Sequence, residues 1–262
     1  MIFPRVVATE LIKLRRSKVT WVTFAVYTVI VAIAGAFLWM VKNPEVAKSI
    51  GLIGQKAQFA FGGQPVDWSS FMAYIAVMGG VGGLIMCSVI VSYVFGREYV
   101  EGTAKNLLCL PTPRSHFVFA KIIVSALWFV LLNLWMIAVS YAVGTILGLD
   151  GLTSAVFLTA TGQLLRLALM SLCCSLLVAW IAVESRGYFA PLGFSIGTMA
   201  LASIFGRTGW APWVPWSIVG LASGVAGPDT GLSAGSYIVI GLTFLLGTAL
   251  VIRHEVFADN KQ

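Results

Sequence analysis

REYVEGTAKNLLCLPTPRSHFVFAK, Arg97 to Lys121, decides how this chain is organised. It is the longest stretch that combines charge, proline and an amphipathic pattern, and long apolar runs flank it on both sides. Glu98 and Glu101 come early and Lys105 later, the order that suits a helix dipole. Ala104, Leu107 and Leu108 stand at helical spacing. Pro111 and Pro113 stop a helix, because proline lacks the amide donor and biases the preceding residue away from helix. Ser115 can then cap a helix that begins with Phe117. The segment reads as a short amphipathic helix, a proline turn and a re-entry into apolar sequence. That is more chain than a connection needs, so a docking surface is the sharper reading and a plain loop the simpler one.

Working outward, the flanks set the solvent. Hydrophobic residues make up 59% of the 262 residues and charged residues 10%, against about 25% charged in a soluble domain. Six runs approach the roughly 20 apolar residues needed to cross a bilayer: about 19–41, 71–95, 117–147, 155–183, 188–205 and 234–252. They do not alternate as barrel strands would, so backbone satisfaction in lipid requires helices. The expected fold is an all-α membrane protein, a single transmembrane domain over 1–262.

Lys and Arg orient it. With the N-terminus cytoplasmic, Arg5, Lys13, Arg15, Arg16, Lys18, Arg97, Lys105, Arg114, Lys121, Arg186, Arg253 and Lys261 lie inside. Only Lys42, Lys48, Lys56 and Arg207 lie outside, with Arg166 in a span. An even number of spans returns the C-terminus to the cytoplasm, and the segment 97–116 becomes a cytoplasmic loop. The net charge of +7 then reflects topology and contact with anionic lipid, not nucleic-acid binding. The first span is too long for a cleaved signal peptide and is read as retained. Cys87, Cys109, Cys173 and Cys174 fall in spans or on the inner side, where no structural disulfide is expected.

Residues 3–18 should form an amphipathic surface helix. Phe3, Val6, Val7, Leu11 and Leu14 share one face and Arg5, Thr9, Lys13, Arg15 and Arg16 the other. It is a membrane anchor in the simpler reading. In the sharper one Glu10, Arg15 and Arg16 also contact a cytoplasmic partner. Gly79 and Gly83, Gly144 and Gly148, and Gly193 and Gly197 have the spacing that lets helices approach closely, with packing inside one subunit the simplest use.

Arg166 lies near the middle of the fourth span, and a charge there is a functional hypothesis by default. Thr159, Gln163 and Arg166 line one face. Either Asn133 and Gln163 hold Arg166 in a structural polar cluster, or Arg166 faces a substrate path and meets an anionic group. The stretch from 206 to 231, with Trp210, Trp213 and Trp216 between Pro212 and Pro215, is either an aromatic belt or a re-entrant piece before the last span.

Enzyme chemistry finds little support. There is no P-loop and no HExxH. His116 and His254 are far apart, no metal-ligand spacing occurs, and the spans lack a carboxylate for proton relay. No catalytic residue and no metal or cofactor bound by this chain is expected.

The chain resembles the permease subunit of type-2 ABC exporters, the group that includes bacterial antibiotic-peptide and lantibiotic immunity permeases. ELIKLRRSKVTW, residues 10–21, looks like the family's elbow helix running into the first span. Glu98, Glu101, Gly102, Thr103, Lys105 and Pro111 through Arg114 match the order of its cytoplasmic loop. The family also carries short re-entrant helices where the Trp-rich stretch lies. The resemblance implies an elbow helix, six spans and a coupling helix over Glu98–Leu108. It implies docking residues Glu98, Glu101, Gly102, Thr103, Lys105, Asn106, Leu108 and Arg114. It further implies two separate ATPase subunits holding ATP and Mg, and a second permease copy or a paired permease, in a bacterial cell membrane. A self-contained six-helix carrier or channel is the alternative, distinguished by independence from ATP. An enzyme acting on lipid or peptide is the third class. Arg166 belongs to no motif of that family.

Overall fold

The computed structural model describes residues 2–49, 51, 66–103, 113–206, 208–225, 227 and 232–257. Among these the helices are α1 (Ile2–Arg16), α2 (Lys18–Lys42), α3 (Pro44–Ser49), α4 (Trp68–Val100), α5 (Arg114–Ile146), α6 (Ser154–Glu184), α7 (Phe189–Phe205), α8 (Pro215–Ser223) and α9 (Ala234–Phe257), with a 3-10 turn at Ala211–Trp213. Five of them, α2, α4, α5, α6 and α9, are long and apolar enough to cross a membrane. The shorter apolar α7 has 17 residues. This is a multi-span all-α membrane protein.

Local chemistry fixes the boundaries. Ser17 separates α1 from α2 and caps the latter, its hydroxyl accepting from Val19 N. Asp67 and Thr153 cap α4 and α6 in the same way, through Ser70 N and Val156 N. Trp68 N donates to Asp150 O at 3.2 Å, so the α4 start and the α5–α6 connection meet at one end of the bundle. The amphipathic α1, the α4 C-terminus, the α5 start and the last turns of α6 and α9 gather at the other. Within the spans, hydroxyls bond to carbonyls of their own helix: Ser88 to Leu84 at 2.8 Å, Ser140 to Met136 at 2.7 Å.

The core runs along α4, α5 and α6 through Trp68, Phe71, Phe95, Trp128, Leu132 and Leu164. The outer faces are apolar and exposed, Trp21, Leu134, Leu158, Phe189 and Leu242 among them. Lipid tails offer helices no hydrophobic reason to associate, so close packing must hold them together. Gly79 sits against Met136 and Leu164, and Gly83 against Phe129 and Ser171, so this glycine pair packs inside one subunit. Gly193 and Gly197 have nothing within 4 Å.

The Trp-rich stretch folds back into the bundle. After the 3-10 turn, α8 descends beside α4 until Ser223 meets Gly80. A Cβ at Gly80 would lie 2.5 Å from the Ser223 Cβ. Gly80 is twelve residues from Trp68, about 18 Å along the helix. Ser217 Oγ donates to Ala202 O at 3.1 Å, and Gln163 Nε2 to Ala222 O at 3.3 Å. Gly224, at φ +89°, then turns the chain. The short apolar helix thus packs back against the bundle, and the Gln163 amide satisfies the Ala222 carbonyl near its C-terminal end.

Candidate functional site

At the α1 end of the bundle, α4 stops for a readable reason. Gly102 takes φ +68°. Its N–H donates to Tyr99 O at 3.3 Å, and Thr103 N to Glu98 O at 2.9 Å. This is the Schellman termination, which needs glycine at the left-handed position. One sequence expectation is corrected here. Glu98 through Val100 are the last turn of α4, so a separate coupling helix cannot begin at Glu98. Lys105, Asn106 and Leu108 lie outside the described residues.

Glu98 is 7% exposed and lies inside the bundle. Its carboxylate accepts from Lys13 Nζ of α1 at 3.0 Å and from Lys121 Nζ of α5. Lys13 also pairs with Glu10, one turn earlier on α1. Lys121 is 3% exposed, and its ammonium lies 5.5 Å from the centre of the Phe95 ring. Burial alone would lower the Lys13 amine. The Glu10 hydrogen bond and the Glu98 charge outweigh that and hold it above its ordinary value. One carboxylate thereby ties together three helices that sequence places far apart.

Beside this clasp opens a cleft of about 400 Å³ lined by α1, α4, the turn after it and Val124 of α5. Arg97 borders it. Its Nε donates to Glu101 Oε1 at 2.8 Å, and its guanidinium carbon lies 5.7 Å from the centre of the Tyr93 ring. Tyr93 in turn stacks on Tyr188, centroids 6.1 Å apart. The last helix is fastened to the same end. Tyr99 Oη donates to Glu255 Oε1 at 3.1 Å, and His254 Nδ1 lies 2.8 Å from Glu184 Oε2.

The sequence-predicted residues therefore separate into groups. Glu101 and Gly102 are exposed at the turn, Thr103 is half-buried beside them, and Arg114 is half-buried at the start of α5. Arg15 and Arg16 are exposed on α1, whereas Glu10 is buried against Lys13. Asn133, Gln163 and Arg166 do not form one cluster. Asn133 is buried and donates to Phe129 O of its own helix at 2.8 Å. Gln163 reaches α8, and Arg166 is exposed. Sequence reasoning passed over Lys13 and Lys121 as partners of Glu98. The signal was present: Lys121 stands inside the apolar run 117–147, where a lysine needs a carboxylate.

A profile of the ABC-2 family transporter proteins matches residues 6–201, from α1 into α7. The chain belongs to that family. The permease is also 30% identical over 172 residues to the bacitracin transport permease protein BCRB of Bacillus licheniformis, a match covering 65% of this chain and 82% of that protein. The match to the family takes in every residue of the Glu98 clasp and of the cleft beside it. The permease is thus a transport subunit of an ABC transporter rather than an enzyme, and its family works with ABC ATPase partners.

Proposed function

We propose that the permease forms the substrate path of an ATP-driven exporter in a bacterial cell membrane, with both termini cytoplasmic. Two separate ATPase subunits, holding ATP and Mg, dock on the end that carries α1 and the turn Glu101–Thr103. A second permease copy completes the path. The cargo is an amphiphile of the peptide-antibiotic class, the class to which the name of the Bacillus relative points.

The observation that carries this reading is the clasp. Glu98 lies three residues before the exposed Glu101 and holds α1 through the half-buried Lys13 ammonium and α5 through the buried Lys121 ammonium. A partner that displaces the Glu101–Thr103 turn would move α1, α4 and α5 as one body. Coupling needs such an element, whose position both the docking site and the path can bias. The basic residues of this end, Arg15, Arg16 and Arg97 among them, fit a cytoplasmic placement.

The test is recovery of the tagged permease from its native membrane with whatever copurifies. The expected companion is a P-loop ATPase in stoichiometric amount. Glu101→Lys, an exposed change that places a like charge near Arg97, should leave the helices folded and abolish transport-linked ATP hydrolysis. A permease that purifies alone and moves solute through liposomes without ATP would overturn the reading.

A further inference from the structure

Arg166 makes no hydrogen bond or ion pair among the described residues and is exposed. It lies twelve residues from Ser154, about 18 Å along α6, and eighteen from Glu184, about 27 Å. At 31 residues α6 is longer than a bilayer core about 30 Å thick, and with the helix centred there Arg166 lies about 10 Å below the nearer face. A guanidinium there needs an anion.

No described helix of this chain supplies one at that depth. Within α2, α4, α5, α6, α7 and α9 the acids are Glu98, Glu184 and Glu255, all at the α1 end. Asp67 and Asp150 mark the opposite end. A second copy with the same topology would bring its own helices to the same depth, and there too the described helices carry no acid. Packed about a two-fold axis on this face, it would set Arg166 against Arg166.

The surface around Arg166 shows what fits. Helical side chains lean toward the helix N-terminus, so Arg166 leans toward the Ser154 end. Directly along that path stand Gly162, Thr159 and Ala155, at spacings of four, three and four. A Cβ at Gly162 would meet nothing within 4 Å. The Thr159 hydroxyl is turned to Ala155 O at 2.8 Å. Leu158 and Leu169 line one side of this track and are 68% and 63% exposed. The result is a shallow track with an apolar wall on one side, a cation at its deep end and an opening toward the nearer leaflet.

We propose that this track binds a phospholipid of the leaflet on the Ser154 side, its phosphodiester held by Arg166 and an acyl chain lying against the leucine flank. The planar guanidinium pairs two oxygens of a phosphate at once, and the side chain rises toward the headgroup level as long basic chains do in bilayers. The site depends on neither the docking of ATPases nor the identity of the cargo.

The test uses the full chain in nanodiscs containing phosphatidylglycerol, released into native mass spectrometry. Wild type should retain one phosphatidylglycerol that Arg166→Gln loses, with apparent affinity down by about tenfold, the size of a charge-assisted bond. Arg166→Lys should retain it in part. Gly162→Leu fills the track and leaves the charge in place, and should lose the lipid as Arg166→Gln does. It answers the question even if Arg166→Gln fails to fold. Equal retention in wild type and Gly162→Leu would overturn the proposal. So would variants that keep the lipid but lose cargo transport, which assigns the anion to the cargo. Variants that keep the lipid but lose the dimer would assign the face to a second copy.

Discussion

The Glu98 clasp makes an ordered prediction about stability. Among the described residues Lys121 meets one carboxylate, that of Glu98, whereas Glu98 has both Lys121 and Lys13. Glu98→Gln strands an ammonium whose side chain is 4% exposed. Breaking a buried pair from one side costs about 3–5 kcal/mol. Lys121→Met leaves Glu98 its bond to Lys13, so the cost falls to that of one charged hydrogen bond, about 1.5–3 kcal/mol. The double variant Glu98→Leu with Lys121→Met removes both buried charges and leaves Lys13 with Glu10. Replacing a whole buried pair with apolar residues of similar volume is close to neutral. The double variant should therefore be more stable than Glu98→Gln alone, although independent effects would sum to about 4.5–8 kcal/mol. Reversible unfolding of the purified permease in mixed micelles, followed by tryptophan fluorescence, measures the three variants against wild type. Additive losses, or a Glu98→Gln cost below about 1 kcal/mol, typical of a surface pair, would refute the reasoning that a desolvated carboxylate joins these helices.

Other consequences are simpler. Gly80→Val places branched carbon where Ser223 already stands, and overpacking of this kind costs about 1–3 kcal/mol. It should loosen α8, read as faster protease cleavage between 206 and 233, with the other helices intact. Tyr99→Phe removes the bond to Glu255 and should lower stability by about 1.5–3 kcal/mol, with faster amide exchange in the last turn of α9. Gly102→Ala forces a left-handed conformation on a residue with a Cβ. It should cost about 1 kcal/mol and shift the turn that carries Glu101, seen as reduced ATPase copurification.

Much of the fold was legible in the sequence. The long apolar runs became helices within a few residues of the expected limits. Ser115 does not cap as expected: α5 already begins at Arg114, with Pro113 before it and no side-chain cap. The amphipathic helix expected over residues 3–18 is α1, which stops at Arg16, with Lys18 already in α2. The α4 end was misread because REYVE resembles a charged surface, and local pattern cannot see that Lys13 and Lys121 lie 85 and 23 residues away in sequence. Gln163 was grouped with Arg166 by helical spacing, yet 60° of rotation is enough to turn one toward α8 and leave the other open. The descent of α8 was only half legible: tryptophan and proline mark an interface, but a partner such as Gly80 emerges only when helices are assembled.

The uneven burial of the spans sets an order for making the protein. The apolar window of α2 is 28% buried and that of α4 is 61%. A ribosome delivers α2 as a helix that lipid alone can house. It delivers α4 with an inner face of glycine and serine that fits α6, a helix not yet synthesised when α4 enters the membrane. Until Ser154 and its successors emerge, α4 must wait beside the insertion machinery or a chaperone. Slowing translation between Val100 and Ser154 should therefore lengthen that wait and the exposure to quality-control proteases, whereas a pause after Glu184 should not.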